Sequence, residues 1–173
     1  MNRLSTRRFT LTAAAATALA ASLALAGSAV AVAPASATAS YDCDAAGSGT
    51  VTLTTADSGG VKSVKLDSAD ILAQFPYAAN SVTTTLKLNK ASGGEVQFSG
   101  AVHPAASTGD PISFGPLPLS SGTLAAGDVT NSTVLSGTPS ASNWSLRFTV
   151  TNAGGTFSSY CVATSAQSSA FTW

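Results

Sequence analysis

The sequence predicts an all-β fold, an antiparallel β-sandwich of about seven to nine strands. Three observations predict it. Apolar residues alternate at period two with Ser and Thr over several short runs, the pattern of strands with one buried face. Glycine-rich turns separate those runs. Only one short segment carries helical signals, and no repeat or heptad pattern is present.

The elements follow in chain order. Residues 1–37 read as an export leader, with Arg3, Arg7 and Arg8 ahead of an uncharged apolar stretch from Leu11 to about Val32. Small residues then frame a cut at Ala35-Ser36-Ala37, the A-x-A pattern a signal peptidase accepts because only small side chains fit beside the scissile bond. Ala37-Thr38-Ala39 offers a second cut. Arg7-Arg8, in the context Ser5-Thr6-Arg7-Arg8-Phe9-Thr10-Leu11, resembles a twin-arginine signal with polar Thr10 where an apolar residue is usual. Leu25-Ala26-Gly27-Ser28 resembles a lipobox but has a serine in place of the cysteine that takes the lipid. The expected products are a cleaved signal peptide, 1–37, and a single secreted domain, 38–173, in an extracellular or cell-wall-associated location.

The leader changes the charge. The whole chain has 8 Lys+Arg, 8 Asp+Glu and one His. After a cut at Ala37, five basic residues face eight acids, a net charge of −3 on 136 residues. Nucleic-acid binding needs clustered Lys and Arg to displace counterions, so that function class is excluded. No membrane span is expected after cleavage. The remaining length is that of one domain.

Val51 and Leu53 mark an early strand, Val64 and Leu66 the next, with Asp57-Ser58-Gly59-Gly60 as the hairpin between them. Asp67 to Gln74 reads as a short helical turn, with Asp67 as cap, Asp70 in the first turn, and Ile71 and Leu72 packing inward; Pro76 ends it. Val82, Leu86 and Leu88 share the inner face of the next strand, and Ser92-Gly93-Gly94 turns it into a strand marked by Val96, Phe98 and Val102. His103 to Leu119 holds Pro104, Pro111, Pro116 and Pro118. Proline has no amide hydrogen for a ladder, so this stretch is expected at an edge or as a crossover. Trp144, Leu146, Phe148 and Val150 alternate inward against Ser145, Arg147, Thr149 and Thr151. Asn152-Ala153-Gly154-Gly155 then turns the chain into a last strand, Thr156 to Thr164, that carries Cys161.

Cys43 and Cys161 are the two cysteines. In an exported chain an even count reads as a disulfide, here from the first strand to one of the last. Neither C-x-x-C nor histidine spacing suggests a metal or redox site, and no cofactor is expected. The nearest architecture is the immunoglobulin-like sandwich. The resemblance is to an architecture class, because Trp144 lies far beyond Cys43 and Ser159 stands where the tyrosine corner has Tyr.

Little in the chain resembles a catalytic set. His103, the single histidine, would have to serve any Ser-His-Asp triad, with Asp110 as its orienter, and no G-x-S-x-G turn is present. It reads as a surface residue. Glu95 is the single glutamate, which leaves poor material for a carboxylate pair. Asp42, Asp44, Asp67 and Asp70 supply hard oxygens that suit calcium, without the dense acidic loop of an EF-hand, so they read as solvated acids. No metal site is assigned.

The sequence therefore predicts a non-catalytic binding or envelope-associated module with an extracellular protein or polysaccharide as partner. Tyr77, Phe171 and Trp173 are the candidate ligand-binding residues, as exposed rings that could stack on a sugar, while Trp144 is expected in the core. The alternative is a protease inhibitor that presents residues 111–119 as a rigid loop. A hydrolase using His103 or Glu95 is the third reading.

Overall fold

The computed structural model describes residues 31–173. Arg3, Arg7, Arg8 and the bulk of the apolar leader stretch lie outside these residues. Among the described residues ten strands are present: β1 (Ser36–Asp42), β2 (Ser48–Ser58), β3 (Val61–Leu72), β4 (Val82–Lys90), β5 (Glu95–Gly100), β6 (Pro111–Ser121), β7 (Val129–Ser132), β8 (Leu146–Asn152), β9 (Gly155–Ala163) and β10 (Phe171–Thr172). The single helical element among them is a 3-10 turn, Asp44–Ala46. No helix among the described residues is long and apolar enough to cross a membrane.

All strand pairs are antiparallel, and eight strands close on themselves in the order β1-β2-β3-β6-β5-β4-β8-β9, returning to β1. Strands β4, β5 and β6 are consecutive neighbours and β3 returns beside β6, which is a Greek-key arrangement. The all-β antiparallel prediction holds, and the sandwich is replaced by a barrel. The physical reason is that period-two alternation reports one buried face per strand, and that face looks the same in both architectures. What closes the barrel is a choice of partner. The free edge of β4 takes β8 from Val82↔Val150 to Leu86↔Leu146.

The interior is filled. Val51 and Leu53 of β2, Val64 and Leu66 of β3, Leu86 and Leu88 of β4, Phe98 of β5, Leu117 of β6 and Leu146 of β8 are fully buried. A barrel of eight strands is just wide enough for side chains to fill, and each such side chain contributes about 1.5–3 kcal/mol of burial. The β2–β3 hairpin is as tight as its sequence implies. Ser58 pairs with Val61, and Gly59 and Gly60 between them have φ of 61° and 86°, the two positive values that a two-residue type I′ turn needs.

The two ends of the barrel differ. At one end β7 continues the β4 edge beyond β8, with Leu88↔Ser132 and Lys90↔Thr130. There β10 pairs with β7, and Ala33 bridges to Thr172. Trp173 lies across this end, stacked on Phe98 at 5.3 Å between ring centroids, with its Nε1 donating to Thr130 Oγ1 at 2.8 Å. The opposite end is where β3 finishes and β4 and β6 begin, and it is open.

Four further expectations change. Residues 67–74 do not form a helical turn, because β3 runs through to Leu72. Ser68 explains the misleading signal. Its hydroxyl accepts from the amides of Asp70 and Ile71 and donates to the Thr50 carbonyl. This imitates an N-cap, yet it holds a bulge between Ser68 and Leu72 in the β3–β6 register. The proline-rich stretch is not an edge. Its second half is β6, which pairs on both sides with β3 and β5.

Strand β6 admits two of its prolines because Pro111 opens it and Pro116 sits in a bulge, between the pairs Leu66↔Phe114 and Val64↔Leu117, where ladder hydrogen bonds are interrupted; Pro118 pairs with Ser63 and lies past the last β5 pair, Phe98↔Leu119. Gly115 forms that bulge with φ of 114°, and a Cβ there would come within 2.8 Å of the Val64 carbonyl oxygen. Gly115→Ala is therefore expected to destabilise the fold by about 2–4 kcal/mol, since strained φ and a backbone clash add. Urea unfolding measures it, and an unchanged midpoint would mean that the bulge relaxes freely.

Val102 is 47% exposed rather than inward, because β5 stops at Gly100. Trp144 is half-buried on the outer surface, with Lys87 Nζ 4.1 Å and Arg147 Cζ 4.6 Å from its ring centroid. The inward alternation of this run begins at Leu146, where β8 begins.

Candidate functional site

The open end of the barrel carries an apolar cavity of about 150 Å³. Several elements reaching that end supply the lining. Ile71 comes from the end of β3, Val82 from the start of β4, Ile112 and Phe114 from the start of β6, and Phe148 and Val150 from the end of β8. The segment between β3 and β4 adds Phe75 and Tyr77, and the start of β9 adds Phe157. Phe75 is 48% exposed and Phe157 57%, so they form the rim. Polar groups are few: Gln74, Ser158 and Ser159.

An aromatic cluster supports the floor. Tyr77 stands edge-on to His103 with centroids 5.0 Å apart and lies 5.9 Å from Phe114, which packs 4.9 Å from Phe148. Tyr77 is pinned through its backbone, which exchanges hydrogen bonds with Ala106 in both directions at 3.0 Å. Burial, and then the negative charge of Asp110, push the Tyr77 phenol above its ordinary value, so it stays neutral.

Of the three ring candidates, Tyr77 alone lines the cavity. Phe171 and Trp173 have no exposed surface, so neither presents a ring face to a ligand. They close the far end of the barrel. Both were expected as exposed rings. A stack on Phe98 and a buried acceptor for the indole N–H give Trp173 a structural position instead.

His103 is buried at 4% exposure rather than on the surface. Its Nε2 accepts from the Val82 amide at 2.8 Å, and its Nδ1 donates to the Pro104 carbonyl at 2.7 Å. Those partners select the Nδ1–H tautomer and leave neither nitrogen free to act as a base. Asp110, the expected orienter, instead accepts from the Ser107 amide. Glu95 lies 3.6 Å from Lys87 on the barrel wall.

The four aspartates divide between two open clefts, Asp42 and Asp44 beside residues 134–139, and Asp67 and Asp70 beside residues 111–113. Asp42 accepts from the Asp44 amide and the Ser48 hydroxyl, and Asp70 from the Thr50 amide. Among the described residues no group of three or more metal-ligating side chains converges. Residues 111–119, the expected inhibitory loop, are hydrogen-bonded into the barrel wall as part of β6.

Sequence reasoning missed most of the cavity. Phe148 and Val150 were visible as inward residues, but not that they reach an open end. Phe75 and Tyr77 flank Pro76 in a connecting segment, and two aromatics in such a place were the available signal. Comparison of the chain with protein-family models, with curated proteins and with solved structures finds no match to any of them.

Proposed function

We propose that the protein is an exported, non-catalytic binding module whose barrel mouth takes one small apolar group, a single aromatic ring or the end of an acyl chain. The cavity carries this reading. Ligand sites in small barrels lie at the mouth, and an apolar cavity of about 150 Å³ has room for a benzene-sized guest. A whole drug-sized ligand needs about 300 Å³ or more, so the cavity suits the end of a larger molecule. Phe75 and Phe157 at the rim would then cover the part left outside, and Gln74, Ser158 and Ser159 would orient it. The leader and the disulfide support an extracellular setting.

The test is a thermal-shift series with benzene, indole and hexanoate on the oxidised protein. A saturating guest at 100 times its Kd should stabilise the fold by about 2.7 kcal/mol. Val150→Phe fills the cavity from β8 and should abolish that shift while leaving the unliganded midpoint near that of the parent. No shift with any of the three probes, or an equal shift in the filled variant, would defeat the reading.

A further inference from the structure

The segment ahead of β1 is packed against the barrel and its closed end. Val32 is buried at 6% exposure and Ala37 at 4%. The Ala33 amide donates to the Thr172 carbonyl at 3.0 Å, and the Thr172 amide donates back at 2.7 Å. The Thr55 amide donates to the Ala35 carbonyl at 2.9 Å, and its hydroxyl reaches the carbonyls of Pro34 and Ala35. Ser36 and Ala37 pair with Thr54 and Leu53. A cut after Ala37, the site favoured by sequence pattern, falls inside β1. It would strip two residues from that strand, orphan the Thr172 amide, and uncover the closed end.

The sequence offers several overlapping A-x-A triplets between Ala24 and Ala39, and pattern alone ranks them poorly. The fold ranks them sharply. A cut after Ala39, Ala37, Ala35 or Ala33 removes Val32 and the Ala33 partner of Thr172. A cut after Ala31 keeps every one of these contacts. Ala29 and Ala31 satisfy the small-residue requirement on either side of Val30. Gly27-Ser28 lies just upstream, and residue types that disfavour helix suit the extended chain a protease accepts. A cut after Ala26 lacks such residues upstream, since Leu23, Ala24 and Leu25 lead straight into it.

We propose that Ala31–Val32 is the maturation site, and that the exported protein begins at Val32. This rests on reading the leader as an export signal. The enzyme class is a signal peptidase, which hydrolyses the Ala31–Val32 amide with water to leave a carboxylate on Ala31 and an amine on Val32.

The test is secretion of the full chain from an exporting bacterial host, with intact mass and N-terminal sequencing of the protein in the medium. The expected result is a homogeneous chain that starts at Val32 with the disulfide formed. A chain starting at Thr38 is lighter by the six residues Val32 to Ala37 and would overturn the proposal, as would a start at Gly27, Pro34, Ser36 or Ser40. Two exposed positions give variants that leave the core intact. Ala31→Gln should cause unprocessed precursor to accumulate. Ala35→Gln spoils the Ala35-Ser36-Ala37 triplet and should leave processing unchanged; a block by this variant would refute the assignment. A full-length chain retained in the cells would overturn the leader reading and the proposal together, whereas a secreted chain cut elsewhere overturns the proposal alone.

Discussion

Reduction of the Cys43–Cys161 disulfide, or its removal by Cys43→Ala with Cys161→Ala, is expected to lower the unfolding free energy by about 4–5 kcal/mol. The bridge forms as the cysteine count implied, and it spans a sequence separation of 118 residues. Cross-linking so long a loop removes much of the freedom of the unfolded chain. The location matters as much as the length. The first and ninth strands meet along a thin seam, with Tyr41↔Ala163 and Asp42↔Val162 as its only residue pairs. The neighbouring β1–β2 ladder runs the full length of β1.

Beyond the paired residues the seam is held by a connecting segment. The Ser165 and Ser168 hydroxyls accept from the Ser40 and Thr38 amides, and the Thr164 and Ser168 amides donate back to the Ser40 and Thr38 carbonyls. Cys43 sits immediately after the last paired residue of β1, so the disulfide stands where the ladder stops. Against a total stability of about 5–15 kcal/mol for a typical domain, the expected loss is large. Urea unfolding with and without reductant measures it. A loss below about 1 kcal/mol would show that the serine contacts hold the seam unaided.

Trp173→Ala is expected to cost about 3–5 kcal/mol. The ring is fully buried, stacks on Phe98 and stands edge-on to Phe171 at 6.3 Å. Its removal leaves a cavity and strands the Thr130 hydroxyl, itself buried. Trp173→Phe keeps most of the stack and loses the hydrogen bond, so a smaller loss of about 1–3 kcal/mol is expected. The pair of variants separates two roles. A ligand-stacking Trp173 would lose binding at little cost to stability. A closing Trp173 loses stability and leaves the affinity of the mouth for its guest unchanged. Chemical denaturation read beside the probe titration decides between them.

The strands were legible where each had one clean buried face. Val51 with Leu53, Val82 with Leu86 and Leu88, and Val96 with Phe98 all point inward as their alternation implies. Closure was not legible, because nothing in β4 or β8 alone names the other as partner. The end of β3 was misread because Ser68 gives a strand bulge the hydrogen bonds of a helix cap. β6 was misread because Pro111 sits at a strand start and Pro116 in a bulge, places where a wall strand tolerates proline, while Pro118 keeps its register against Ser63. For the candidate site, Tyr77 was singled out as a ring and the cavity it lines was not legible. The cavity is assembled from strand ends that approach one another only when the barrel closes.

The bridge between Ala33 and Thr172 brings the two ends of the domain together, on the side away from the mouth. Whatever is joined to either end therefore trails from the base. A tether to a cell wall, a solid support or a second domain would leave the cavity facing outward, unobstructed by its own anchor, like a cup held by its foot.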